Sequence, residues 1–395
     1  MAIKVKDAAR ALKALRYLSG KNKICIRNSK GSCEVVFQSY SESMNGHTRI
    51  YVDGQVDLKD YEVVGNEIVN LINPSTMNGY IGMHVDDMMD KGSEVKIPQL
   101  IIDHALSSYP LDTWPNHQVD FSSLLEYKIA RFKVKTCDFV KLLNLATSTK
   151  IRKGIRYDLS YVEFNLDDNI LYCVSTDGRT FTKTSCNTFN QDIKQKLKFY
   201  IKLPTLKKII YMFDKYKKYT QENIDIIFYI NDFLTIDASC FNINIKVCSE
   251  SEIKYPEYEK VLSEYVDKPY SMATINRALL LKHLRRVTTW MQNKYNTKTI
   301  VMKVTKDWID FISENNRFFK SYLEIEGDIN TSYIIDPILL ENIISKRQTE
   351  NIQIFFRCDD ETYEDGFAKT PFVMSDNIQD KFQEFSLMLP FSRIN

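Results

Sequence analysis

The sequence predicts an α+β fold in which one strand–helix–strands unit is used six times and paired into three similar domains. Three observations carry this expectation. A short strand runs directly into an amphipathic helix at Ile3-Lys4-Val5-Lys6 into Asp7–Leu15, at Phe132-Lys133-Val134-Lys135 into Thr136–Ala146, and at Tyr270-Ser271-Met272 into Ala273–Val287. Weaker relatives alternate with them: Tyr61–Val64 into 65–73, Phe199–Lys202 into 204–219, and Ile329–Tyr333 into 334–345. After the helices come segments of period-two alternation bounded by turn residues, the signature of antiparallel hairpins. Hydrophobic strands and amphipathic helices together place the helices on one face of antiparallel sheets. Such long-period self-similarity suits a ring- or arc-shaped scaffold better than an enzyme built around one cleft.

The elements follow in order. After the second opening, Tyr161–Leu166, an Asp167-Asp168-Asn169 turn and Ile170–Ser175 form a hairpin, and Thr176-Asp177-Gly178 turns into Arg179–Ser185. Downstream of 204–219 come Ile224–Ile230, an Asn231-Asp232 turn, Phe233–Ser239 and Phe241–Cys248. The last third repeats this with Thr299–Val304, Lys306-Asp307, Trp308–Ser313 and Ile352–Arg357. Tyr109–Pro115 and Tyr255–Leu262 read as links that close domains, because proline ends strand pairing and stiffens the chain. The expected domains are therefore 1–127, 128–266 and 267–395.

At 395 residues the chain is too long for one ordinary core, and 44% hydrophobic against 26% charged residues fits a soluble globular protein. No apolar run reaches the ~18 residues a membrane span needs, and Met1–Leu15 lacks a signal-peptide core, so a cytoplasmic location is expected. Cys25, Cys33, Cys137, Cys173, Cys186, Cys240, Cys248 and Cys358 form no CxxC pair; they read as structural thiols, with no metal or other cofactor expected.

The net charge of +2 says little, but its distribution says more. Cations gather on the helical segments: Arg10, Lys13 and Arg16; Lys141, Lys150, Arg152 and Lys153; Lys207, Lys208, Lys215, Lys217 and Lys218; Arg277, Lys282, Arg285 and Arg286. Segment 275–298 contains no acidic residue, whereas 65–73 contains no basic one. A polyanion is the partner such helices suit, set against the plain alternative of solvated faces.

Several strings in order resemble the bacterial sliding clamp, the β subunit of DNA polymerase III. They are Ile155-Arg156-Tyr157-Asp158-Leu159, Thr176-Asp177-Gly178-Arg179, Tyr255-Pro256-Glu257-Tyr258 with Val261-Leu262, Asn330-Thr331-Ser332-Tyr333 and Leu389-Pro390-Phe391. The resemblance covers roughly 105 to 395 and extends to the first third through the repeat pattern. It implies a three-domain subunit that dimerises head to tail into a ring, with helices lining the hole and sheets outside. It also implies a non-catalytic DNA-replication role: encircling duplex DNA without reading sequence, and binding linear peptides of polymerase and clamp loader. Carried over to this chain, the peptide cleft is Arg156, Leu159, Thr176, Gly178, Arg179, Phe181, Pro256, Lys260, Val261, Asn330, Tyr333, Leu387, Met388, Leu389, Pro390 and Phe391. The helical cations above would face DNA.

Departures bear on which peptides are held: Arg179-Thr180-Phe181 follows the Thr-Asp-Gly turn where the family has a His-Arg-Leu-like triplet, and Ser392–Asn395 extends the tail. Abundant Ile, Asn, Lys and Tyr suit A/T-rich coding, as in a phage or mobile element acting in an infected bacterial cell. Two alternatives rank below the clamp. One is a clamp-like DNA- or replisome-binding regulator that forms no ring. The other is a metal-dependent nuclease using Asp86, Asp87 and Asp90, read as an acidic loop; two-metal chemistry needs carboxylates converging from several elements.

Overall fold

The computed structural model describes residues 2–19, 23–28, 34–40, 44–51, 61–75, 77–89, 96–115, 127–149, 156–193, 196–218, 220–230, 232–259, 270–294, 299–312, 320–327, 329–357, 367–376 and 384–391. Lys150, Arg152, Lys153, Lys260, Val261 and Asp90 lie outside them, as do 260–262 of the expected second link. Six helices are described: α1 (Val5–Ser19), α2 (Gly65–Leu71), α3 (Thr136–Ala146), α4 (Leu203–Tyr216), α5 (Arg277–Lys294) and α6 (Pro337–Lys346). Each follows directly on a strand or one residue after it, and every described strand pairing is antiparallel.

The chain divides into two compact units. The first comprises Met1–Asp138, Thr188–Gln195 and Pro204–Cys248. Its strands pair without a break from Tyr80–Met89 through Lys96–His104, Ser107–Pro115, Tyr61–Val64, Lys23–Asn28, Glu34–Tyr40 and Met44–Tyr51. Met44–Tyr51 pairs onward with Phe241–Lys246. Ile3, Ala8, Leu12 and Leu15 from the start of the chain share a core with Ile68, Ile72, Ile81 and Ile102. α4 buries Leu206, Ile209, Met212 and Phe213, at the helical spacing that makes one apolar stripe. Phe213 packs edge-on against Phe241, 5.1 Å between centroids.

The second unit comprises Phe139–Asn187, Lys196–Leu203 and Ser249–Asn395. Here Thr180–Lys183 pairs both with the hairpin strand Ile170–Thr176 and with the C-terminal strand Phe385–Met388. Phe385–Met388 pairs in turn with Phe372–Ser375, which pairs with Asn351–Arg357 and then Tyr270–Asn276. A separate four-stranded sheet holds Ile300–Val304 between Trp308–Ile312 and Thr331–Ile335. α5 and α6 close a core containing Leu280, Leu284, Phe311, Tyr333, Leu340, Ile344 and Met388.

Local chemistry moves several boundaries from those expected. Ala273–Asn276 is strand rather than helix, paired with Asn351–Ile354, because Asn276 caps α5: its Oδ1 accepts from Leu279 N at 3.1 Å. Ile334 and Ile335 likewise remain in a strand. Asp336 caps α6 by accepting from Ile338 N at 2.9 Å, and Pro337 presets the first turn. Tyr109–Pro115 is no link but part of strand Ser107–Pro115. Pro110 pairs opposite Ile101, at a position that the pairing with strand Tyr61–Val64 does not reach, so among the described residues it is paired on one side. Asp86 and Asp87 lie in strand Tyr80–Met89 opposite Gln99 and Pro98, not in a loop, and adjacent strand positions belong to opposite faces.

One polar chain runs through the second unit's interior. Ser148 Oγ lies 3.2 Å from Thr182 Oγ1, which lies 3.0 Å from Ser386 Oγ. Arg347, the residue after α6, donates to Ser386 Oγ (3.1 Å), Met374 O (2.8 Å) and Asp376 Oδ1 (2.8 Å). Arg347 and Asp376 side chains are 1% and 6% exposed, so neither charge can fall back on water. Replacing Arg347 with Leu should therefore destabilise this unit by about 3–5 kcal/mol, since it strands a buried carboxylate. The double change Arg347→Leu with Asp376→Leu should recover most of that loss in chemical denaturation.

Candidate functional site

The turn at Thr176–Thr180 is built by its own side chains. Asp177 Oδ1 accepts from Arg179 N (3.0 Å), Thr180 N (2.7 Å) and Thr180 Oγ1 (2.8 Å), while Thr176 Oγ1 accepts from Gly178 N (3.1 Å). Gly178 sits at φ +80°, a conformation that a side chain would strain, and a methyl group there would lie 3.8 Å from Leu159 Cδ1. The turn thus presents a bare backbone beside Leu159.

The C-terminal segment docks against this turn. Leu389 N donates to Arg179 O at 2.9 Å, and Phe391 N donates to Ile334 O at 2.8 Å. The Arg179 guanidinium lies 4.0 Å from the Phe391 ring centroid, a cation–π contact. Beneath them Phe181, Val174, Phe355, Val373, Phe385 and Leu387 form an apolar cluster against which Tyr255, Tyr258 and Leu389 pack, half-buried. Of the cleft residues expected from the sequence, the fold brings together Leu159, Thr176, Gly178, Arg179, Phe181, Leu387, Leu389 and Phe391. Tyr333 and Met388 are fully buried in the core beneath α5 and α6. Pro390 is buried, Asn330 is exposed, and exposed Arg156 donates to Asp158 at 3.1 Å.

Pro256 belongs to a neighbouring cavity of about 590 Å³, lined by Glu163, Lys198, Tyr200, Glu250, Ile253, Lys254 and Tyr255–Glu259. The sequence reading passed over it. Its centre is Glu163, 1% exposed, which accepts from Tyr258 OH at 2.6 Å and Tyr200 OH at 3.3 Å, with Lys198 Nζ at 3.5 Å. Lys198 also pairs with Glu250 at 3.0 Å. Burial disfavours the Lys198 charge, but Glu250 and Glu163 outweigh it and raise its pKa. Burial first and Glu163 second push the Tyr200 phenol up to about 12, and the same causes raise Tyr255 and Tyr258. In strand Tyr161–Asp167, Glu163, Asn165 and Asp167 alternate with apolar residues, but only Glu163 of the three is buried, and its burial demands donors.

No protein-family model and no curated protein matches the sequence. Solved structures do. The DNA polymerase III β subunit of Thermotoga maritima superposes with a TM-score of 0.77 at 12% identity, covering 100% of this chain and 99% of that one. The Pseudomonas aeruginosa sliding clamp bound to griselimycin superposes at 0.78 with 11% identity, again over 100% and 99%. The Helicobacter pylori β clamp bound to a DNA ligase peptide superposes at 0.74 with 14% identity, over 99% of each chain. The fold is that of the bacterial sliding clamps.

On this clamp fold the expected DNA-facing cations divide by environment. Lys13, Lys207, Lys215, Lys217, Lys218, Lys282 and Arg286 are exposed; Lys215 Nζ also lies 5.0 Å from the Tyr211 ring. Others are engaged within the chain. Arg10 pairs with Asp7 and stacks on Tyr216, and Lys141 pairs with Glu384 at 2.9 Å. Arg277 donates to Thr349 O at 2.8 Å, and Arg285 approaches Glu341 at 3.5 Å. Lys208 is half-buried, which lowers its pKa, and Arg16 contributes a backbone position in α1. Burial, then Arg286 and Lys282, lower the pKa of His283 on α5. Among the described residues no helix is long and apolar enough to cross a membrane, and no three His, Cys, Asp or Glu side chains gather as a metal site would require.

The three raised phenols stay neutral while an unfolded tyrosine, with an ordinary value of 10.0, ionises. Their contribution to stability is complete below about pH 10 and is lost as pH climbs through the folded values, near 12 for Tyr200. An alkaline titration should therefore show a late class of phenolates appearing together with loss of ellipticity. A single class near pH 10 with ellipticity intact would contradict the cluster.

Proposed function

We propose that this chain is a DNA sliding clamp: a non-catalytic processivity factor that closes around duplex DNA as a head-to-tail homodimer. In this role it tethers DNA polymerase and clamp loader through short linear peptides of those proteins, in the bacterial cytoplasm or an infected bacterial cell. The observation that carries the reading is the superposition on clamps over the whole chain, not over one repeat. The proposed domains are 1–127, 128–266 and 267–395, each carrying two of the six strand–helix units.

In this reading the exposed cations of α1, α4 and α5 meet the phosphate backbone, supplying affinity without base contacts. The apolar surface around Leu159, Phe181, Leu387 and Leu389 takes the side chains of a partner peptide, with Gly178 allowing close backbone approach and Arg179 at the edge. Lys260 and Val261 complete the proposed cleft, while Tyr333 and Met388 support it from the core.

A ring predicts retention on circular DNA and loss by sliding from linear DNA; equal retention on both would leave only a ring-less regulator. Light scattering should give a dimer. Changing Lys207, Lys215, Lys282 and Arg286 to alanine should weaken retention alike on all sequences, and the salt slope should fall by roughly one unit for each phosphate that is no longer neutralised. Removing 389–395 should abolish peptide binding measured by fluorescence polarisation while DNA retention persists.

A further inference from the structure

Helices α1 and α4 meet along a seam within the first compact unit. On α1, Arg10, Lys13 and Tyr17 follow helical spacing and share one face. On α4, Lys207, Tyr211 and Lys215 do the same, each one turn after the last. Two contacts join the helices. Tyr17 stacks on Tyr211 with 4.1 Å between ring centroids and 32° between ring planes, and the Arg10 guanidinium lies 5.9 Å from the Tyr216 ring centroid. Lys215 Nζ approaches the Tyr211 ring at 5.0 Å.

Helix packing alone does not account for Tyr17. The aromatic pairs that serve the core, Phe164 with Phe199 and Phe213 with Phe241, are buried on both partners. Tyr17 stays 47% exposed although it is stacked. Around it Lys13, Lys207 and Lys215 are exposed, against Asp214, the single acidic residue of α4, while Asp7 is paired with Arg10. An open aromatic ring among exposed ammonium groups is the combination that holds a nucleobase: the ring meets the base face, and the cations meet the phosphates on either side. Duplex DNA keeps its base faces inside the stack, so phosphate contact by these lysines would make no use of the rings. An unpaired base offers them a face.

We propose that Tyr17 and Tyr211 form a stacking platform for an unpaired base of single-stranded DNA, whose phosphates Lys13, Lys207 and Lys215 neutralise. The proposal rests on the DNA-binding reading above and adds to it a second form of DNA, told from duplex by its accessible bases. Tyr17 meets the base, and Tyr211 holds the Tyr17 ring in place. Recognition is tolerant of sequence, because every base has a π-face.

The test compares short fluorescein-labelled oligothymidylate with an abasic strand of equal length, matched in charge but without bases. Binding to the full-length protein is read by fluorescence polarisation at low ionic strength. Oligothymidylate should bind on the order of tenfold tighter than the abasic strand. Tyr17→Leu should bring it down to the abasic affinity and leave abasic binding unchanged, whereas Tyr17→Phe should keep the preference. A purely structural role for Tyr17 would instead weaken both strands alike, or leave the preference intact in Tyr17→Leu. A second readout on the unaltered protein is photocrosslinking to an iododeoxyuridine-bearing strand, with adducts expected on the peptide that contains Tyr17. Equal affinity for the two strands, or adducts only outside α1 and α4, would overturn the platform. Retention on circular duplex DNA, measured in parallel, separates the two readings. Intact retention with equal strand affinities removes the stacking platform alone, and loss of both removes the clamp reading with it.

Discussion

A buried guanidinium holds the groove in register. The C-terminal strand Phe385–Met388 is buried on both faces, so hydrophobic pattern alone discriminates poorly between its registers. Phe385 and Leu387 feed the groove cluster, and Met388 feeds the core beneath α5 and α6. A one-residue slip would exchange these faces. Ser386 forbids it, because its hydroxyl must meet both Thr182 and Arg347 inside the unit. Arg347 in turn must keep Asp376 and the Met374 carbonyl, since a buried charge that loses a partner costs several kcal/mol. The Leu389 and Phe391 contacts that shape the groove inherit their positions from this polar chain.

The cations are sorted by what their geometry does well. Arginine serves where contact is fixed: Arg347 in the interior, Arg179 over Phe391, Arg131 on Asp225 at 2.8 Å, Arg277 on the Thr349 carbonyl. Lysine dominates where side chains stay exposed, above all on α4 and just beyond it at Lys217 and Lys218. A planar fork is preorganised for one partner, whereas an ammonium on a flexible stem is a movable point charge.

Much of this was legible in the sequence because period and turn chemistry are local. The hairpin at Asp168-Asn169 was readable since Asp tolerates the positive φ (49°) that its tight turn needs. α3 was readable from its apolar spacing alone. The boundaries that moved were those where a capping residue inside an apolar run decides the transition: Asn276 and Asp336 each stop a strand that hydrophobicity would have turned into helix earlier. Proline misled at Tyr109–Pro115, because a strand with one free side at that point tolerates it. The groove strings were visible, but which of their residues are surface and which are core was not. Burial of Tyr333 and Met388 depends on long-range packing with Phe311, Phe356 and Phe372. The cavity around Glu163 was invisible for the same reason, its wall being assembled from residues 163, 198–200 and 250–259.

The cavity around Glu163 also differs in charge from the exposed face of α4. A groove flanked by lysines would attract phosphate, and nucleic acid at high local concentration would compete with any weak linear peptide. That cavity is instead lined by Glu163, Glu250, Glu257 and Glu259 together with Lys198 and Lys254. The energetic cost is modest, because Glu257 and Glu259 are exposed, while the one deeply buried carboxylate is satisfied by two phenols and Lys198. Surface charge discriminates between ligands of opposite sign. Apolar contact alone cannot give that discrimination, since hydrophobic burial carries no sign.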